Sequence, residues 1–180
     1  MTNQTLQKQK EQKILSYFLD MYEKLTSKSF QIIESSERPD FLLSDENNNT
    51  LGLELTQIRR GHPEEYDWDT IIEKRTYMRL EDALEMLQEI VEKKEQKRRE
   101  PDWNFPKNSI LLVEFSDIPL NNILNYINEE RLPDIYSSGF SEIWLIDLSG
   151  IEVFGDIELF CVKPACYEGY YPREFQKPFG

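Results

Sequence analysis

The chain has 180 residues, 39% of them hydrophobic and 12% aromatic, with 21 Lys and Arg against 34 Asp and Glu for a formal net charge of −13. That length suits one domain around one core, and the composition excludes a disordered tail. No apolar run approaches the ~18–20 residues that span a bilayer. Met1–Lys13 is polar where a signal peptide is apolar, so we expect a cytoplasmic protein that makes no membrane contact. The two cysteines, Cys161 and Cys166, exclude a disulfide scaffold and lack the second Cys/His pair of a zinc site.

The first helix is expected over about Thr5–Lys28, where Ile14, Phe18, Met21 and Leu25 recur at 3–4 residue spacing and form one apolar stripe. Three strands follow, at Ser29–Glu34, Asp40–Ser44 and Thr50–Ile58. Asp45–Asn49 (DENNN) has the residues that a hairpin turn with positive φ favours. A long helical pattern runs from about Trp68 to Arg99 and ends before Pro101. Then come a strand at Ser109–Phe115, a short helix at Leu120–Arg131 and a strand at Ser141–Asp147. A hairpin of Ile151–Phe154 and Ile157–Val162 turns at Gly155-Asp156, and Lys163–Gly180 is a Pro- and aromatic-rich tail. The order of elements predicts an α/β domain, helices on both faces of a central mixed sheet in three α/β/α layers.

Charge is unevenly placed. Residues 1–107 carry 17 basic and 22 acidic side chains, and residues 108–180 carry 4 and 12. The basic residues cluster at Arg59-Arg60, at Lys74, Arg75 and Arg79, and in the run Lys93–Arg99. Two readings stand for that run, a solvated helix face or a local positive surface on an acidic protein.

Chemistry points first to Asp40 and Glu54. Asp40 opens the second strand after Pro39, and Glu54 lies in the third, joined to it by a tight hairpin. Side chains alternate along a strand, so Leu51, Leu53 and Leu55 share the core face while Gly52, Glu54 and Thr56 share the other. If the two carboxylates converge they make a hard-oxygen site suited to Mg²⁺ or Mn²⁺. The alternative is two solvent-facing acids on an ordinary hairpin.

Glu37-Arg38-Pro39-Asp40-Phe41, followed by Gly52-Leu53-Glu54-Leu55-Thr56 with thirteen residues between Asp40 and Glu54, resembles the motif of the PD-(D/E)xK nuclease superfamily. The α-β-β-β-α-β order over about residues 8–147 is similar to its restriction-endonuclease-like core, with residues 148–180 as a C-terminal hairpin and tail. The resemblance implies DNA phosphodiester hydrolysis with Mg²⁺ or Mn²⁺ held by Asp40, Glu54 and the main-chain carbonyl of Leu55. It also implies a lysine two residues after the acid, where this chain has Thr56 followed by Gln57. Thr supplies no charge, so either a cation from elsewhere replaces it, such as Lys74 on the following helix, or the site binds metal and cuts poorly. Lys74 falls roughly 140° from the apolar stripe of that helix, which disfavours it.

Superfamily members also bring a glutamate from the first helix. Glu11 falls ~45° from the centre of the apolar stripe and Glu23 ~165° away, so Glu11 is the candidate and Glu23 faces water. Glu37 is a second candidate, from the loop before Asp40. In this reading Thr56 or Gln57 positions the nucleophile. His62, the one histidine, gives no support to nucleophilic catalysis through a Ser/His/Asp or Cys/His set. Tyr66, Trp68 and Trp103 read as packing residues in preference to base-stacking ones.

Two classes of function remain. One is a metal-dependent nuclease, with a homodimer as one arrangement for cutting both strands. The other is a catalytically degenerate module of the same fold that binds nucleic acid, or a protein partner through the acidic C-terminal half.

Overall fold

The computed structural model describes residues 3–36, 39–58, 80–101, 106–115, 120, 123–148 and 157–163. In chain order these form α1 (Asn3–Thr26), β1 (Gln31–Ser35), β2 (Phe41–Ser44), β3 (Thr50–Ile58), α2 (Leu80–Arg98), β4 (Ser109–Phe115), a 3-10 turn (Leu124–Tyr126), α3 (Pro133–Ser137), β5 (Glu142–Asp147) and β6 (Glu158–Lys163). The first part of the predicted long helix, the predicted strand 151–154 with its turn at Gly155-Asp156, and the tail from 164 lie outside the described residues. Glu37, His62, Tyr66, Trp68, Lys74 and Trp103 do as well.

The strands form one six-stranded mixed sheet in sequential order, β1-β2-β3-β4-β5-β6. β3, β4 and β5 pair in parallel; the β1–β2, β2–β3 and β5–β6 pairs are antiparallel. The parallel centre explains the near-continuous apolar runs there, because both of its faces are covered. Leu53, Leu55, Leu112 and Trp144 pack against Ile14, Leu15, Phe18 and Tyr22 of α1. On the opposite face Ile58, Leu111, Val113, Ile143 and Leu145 pack against Ala83, Leu87 and Val91 of α2 and against Ile127 and Ile135 beyond β4. The result is three α/β/α layers. Among the described residues no helix is long and apolar enough to cross a membrane.

Local chemistry moves some boundaries. α1 stops at Thr26, two residues before the expected end, because Ser27 takes φ 57° and its N–H bonds back to Glu23. The Asp45–Asn49 turn closes with Asn48 at φ 60°, and Asp45 Oδ1 accepts the N–H groups of Asn47 and Asn49. The helix predicted over Leu120–Arg131 is not formed as such. Its buried residues Leu120, Ile123 and Ile127 do fall at helical spacing, but Asn128 Oδ1 captures the Arg131 N–H, and Pro133, free of an N–H to lose, starts the separate helix α3.

Candidate active site

β2 begins at Phe41, paired with Leu53. Beyond Leu53 no described strand lies beside β3 on that edge, and the chain meets the exposed backbone polarity with a side chain: the Leu55 N–H donates to Asp40 Oδ2 at 2.8 Å. The N–H and C=O of one strand residue project toward the same edge, so the Leu55 carbonyl points to the side where Asp40 sits.

Glu54 is fixed by register. β3 pairs with β4 without interruption from Gly52–Ser109 to Ile58–Phe115, so alternation puts Glu54, Thr56 and Ile58 on the face covered by α2. Glu54 is only 3% exposed there, and the reading of two solvent-facing acids fails for it. A buried carboxylate needs a cation or donors, and Lys94 of α2 provides one, its Nζ meeting Glu54 Oε1. Lys94 follows Val91 by three residues and Leu87 by seven, on the flank of the buried stripe, and its side chain is 17% exposed. Glu54 Oε2 is buried with no hydrogen-bond partner among the described residues.

Asp40 responds to the same environment. Burial raises its pKa and the neighbouring Glu54 charge raises it further. The Leu55 N–H and Lys94 oppose this, Glu11 adds a small upward push, and the carboxyl rests at about 6. Asp40 and Glu54 therefore repel each other in a poorly hydrated place, which is the electrostatic condition that a divalent cation relieves.

The other predicted residues divide between the two faces. Thr56 lies on the Glu54 face, half-buried, with no charge to offer. Gln57 is on the α1 face, where its Nε2 donates to Glu114 Oε2. Glu114 is itself buried and holds Lys10 at 3.4 Å. Glu11 is half-buried, accepts from Gln7 at 3.0 Å, and lines a cavity of about 480 Å³ with Lys10, Leu55, Thr56 and Gln57. Glu23 is exposed, as its helical angle predicts. A second cavity, about 430 Å³, lies among Thr50, Asn108 and Glu142 at the other end of these strands and holds none of the predicted site residues. Among the described residues no three His, Cys, Asp or Glu side chains are grouped so that they could hold a metal ion; Asp40 and Glu54 are the carboxylates that come together here.

Sequence reasoning missed Lys94. The signal was present: Leu80, Leu87 and Lys94 recur every seven residues, which separates Lys94 from Lys93, whose side chain is 69% exposed and paired with Glu89. A scan of protein-family models and a search of curated proteins gave no match.

Proposed function

We propose that this protein is a metal-dependent nuclease with a restriction-endonuclease-like fold, hydrolysing DNA phosphodiesters at Asp40 and Glu54. The observation that carries the reading is the unpartnered, buried Glu54 Oε2 beside an Asp40 carboxyl held at about 6. Two carboxylates forced together away from water fit a hard divalent cation such as Mg²⁺ or Mn²⁺, with the Leu55 carbonyl as a further oxygen. When bound, such a cation supplies Lewis-acid polarisation of a phosphate oxygen and acidifies a water.

The protein's own residues do the rest. Asp40 and Glu54 define the site and orient what enters it. Thr56, on the same face, offers a hydroxyl to a water, and Glu11 adds negative charge from the α1 side. The water oxygen forms a bond to phosphorus as a P–O ester bond breaks; the water loses a proton to solvent and the leaving alkoxide gains one. The products are a phosphate monoester and an alcohol.

The test is calorimetric titration of Mn²⁺ into the wild type and an Asp40→Ala/Glu54→Ala double variant, with plasmid cleavage under the same conditions. Binding and cleavage that both vanish in the variant support the reading. Mn²⁺ binding without cleavage favours the degenerate module, to which Thr56 and the net charge of −13 lend weight.

A further inference from the structure

We infer that Lys94, contributed by α2, is the cationic catalytic residue of this site and stands in for the charge that Thr56 lacks. The inference rests on the nuclease reading above.

Three observations carry it. Among the described residues Lys94 is the lysine whose ammonium reaches the acidic pair: it bonds Glu54 Oε1 and draws the Asp40 carboxyl toward its charged form. Lys10, the other described lysine near the end of β3, is on the opposite face of the sheet, engaged with Glu114. Next, Lys94 leaves room for chemistry. An ammonium has three N–H donors, Glu54 Oε1 takes one, and no further acceptor among the described residues takes the others. Glu54 Oε2 likewise stays unclaimed, so the ion pair does not close the site to a metal.

The third argument is charge. In their charged forms Asp40 and Glu54 bring two negative charges and Lys94 one positive. A divalent cation brings the site to a net charge of plus one, which a phosphodiester monoanion neutralises. As hydrolysis proceeds, negative charge grows on the phosphoryl oxygens, and a fixed ammonium with spare donors in a poorly hydrated place is worth most at that moment. Without Lys94 the loaded site is neutral before substrate enters, and among the described residues no other fixed positive charge reaches the acidic pair for the phosphate to approach. The helix also explains how a strand with Thr at this position can work. Lys94 reaches the face of Glu54 from above, whereas a strand residue reaches it from the side.

The experiment compares Lys94→Met and Lys94→Arg with the wild type by Mn²⁺ calorimetry and by the kinetics of plasmid cleavage. Met removes the charge and keeps most of the volume. We expect Lys94→Met to bind Mn²⁺ as tightly as the wild type or more tightly, since no ammonium competes for Glu54, while kcat falls about 100-fold or more and KM changes little. Lys94→Arg should recover part of kcat. Cleavage by Lys94→Met within about threefold of wild type, with metal binding intact, overturns the assignment of Lys94 alone. So does loss of Mn²⁺ binding in Lys94→Met that is restored in Lys94→Arg without any recovery of kcat, because Lys94 then only shapes the site. A wild type that does not bind Mn²⁺, or binds it and leaves plasmid and single-stranded DNA intact, overturns the nuclease reading and this proposal with it. Circular dichroism on each variant, with a Glu54→Gln/Lys94→Met pair as the charge-neutral control, separates these outcomes from misfolding.

Discussion

Lys94 and Glu54 meet across the interface between α2 and β3, with side chains 17% and 4% exposed, and each is the charge that makes the burial of the other tolerable. Removing one partner of such a pair leaves an uncompensated charge in a dry place, at a cost of about 3–5 kcal/mol, whereas removing both at once costs far less. Glu54→Leu and Lys94→Met should therefore each lower stability by roughly that amount, and Glu54→Leu/Lys94→Met should recover most of the loss. Urea denaturation of the two single variants and the double variant checks this. Additive losses would mean that the ion pair carries no coupling.

The Asp40 carboxyl predicts an unusual pH dependence. Its pKa is about 6 in the folded chain against 3.8 for the free side chain, so the folded state holds the proton more tightly. Below pH 3.8 both states are protonated and Asp40 costs nothing. Between 3.8 and 6 the unfolded chain ionises first and stability falls; above 6 the penalty is constant, at most roughly 3 kcal/mol. Asp40→Asn keeps an acceptor for the Leu55 N–H and carries no charge. It should match wild type near pH 4 and exceed it in stability at pH 8. Thermal melts of both proteins across that range, with and without Mn²⁺, give the answer; Mn²⁺ should raise the wild type at pH 8 and leave Asp40→Asn unmoved.

Much of this architecture was legible because its signals are local. The segments 50–58, 109–115 and 141–147 read as strands, the first by alternation and the other two by continuous apolar runs, and Asp45–Asn49 announced its turn through residues that tolerate Asn48 at φ 60°. Alternation placed Glu54 apart from Leu53 and Leu55. It could not show that the Glu54 face is also buried, because that depends on α2, which begins at Leu80, arriving over it from a distant part of the chain. Lys94 was hidden for a related reason. Within Lys93–Arg99 composition reads as one charged run, and only helical phase distinguishes the lysine that points at the sheet from those that point at water. The Leu120–Arg131 segment misled in the opposite direction. Its apolar spacing is helical, but a single Asn side chain and one proline decide where the backbone turns.

Glu95 illustrates the same hidden phase and gives an acid-stability prediction. It is buried one residue beyond Lys94. Burial pushes its pKa up, but hydrogen bonds from Arg98, the Gly139 N–H and Arg99 outweigh this and hold it at about 2, against 4.5 for the free side chain. A depressed carboxyl contributes fully above pH 4.5 and loses its contribution as pH falls toward 2. Wild type should exceed Glu95→Gln in stability by about 2 kcal/mol at pH 7, and the gap should close between pH 4.5 and 2. A gap as large at pH 2.5 as at pH 7 would falsify the account.

Gly139 sits where the Glu95 clamp leaves no space. A Cβ there would lie 1.7 Å from Arg98 Nη2 and 2.4 Å from its Cζ. The obstacle is the end of a flexible side chain, so Gly139→Ala is expected to displace the Arg98 guanidinium from its two 2.9 Å bonds to Glu95 without rebuilding the backbone. The cost should be about 1–2 kcal/mol, the worth of charge-assisted hydrogen bonds at a partly exposed site. Once Arg98→Ala has emptied the space, adding Gly139→Ala should change stability by less than about 0.5 kcal/mol. An equal cost in both backgrounds would place the strain in the backbone at Gly139 and not in the contact with Arg98.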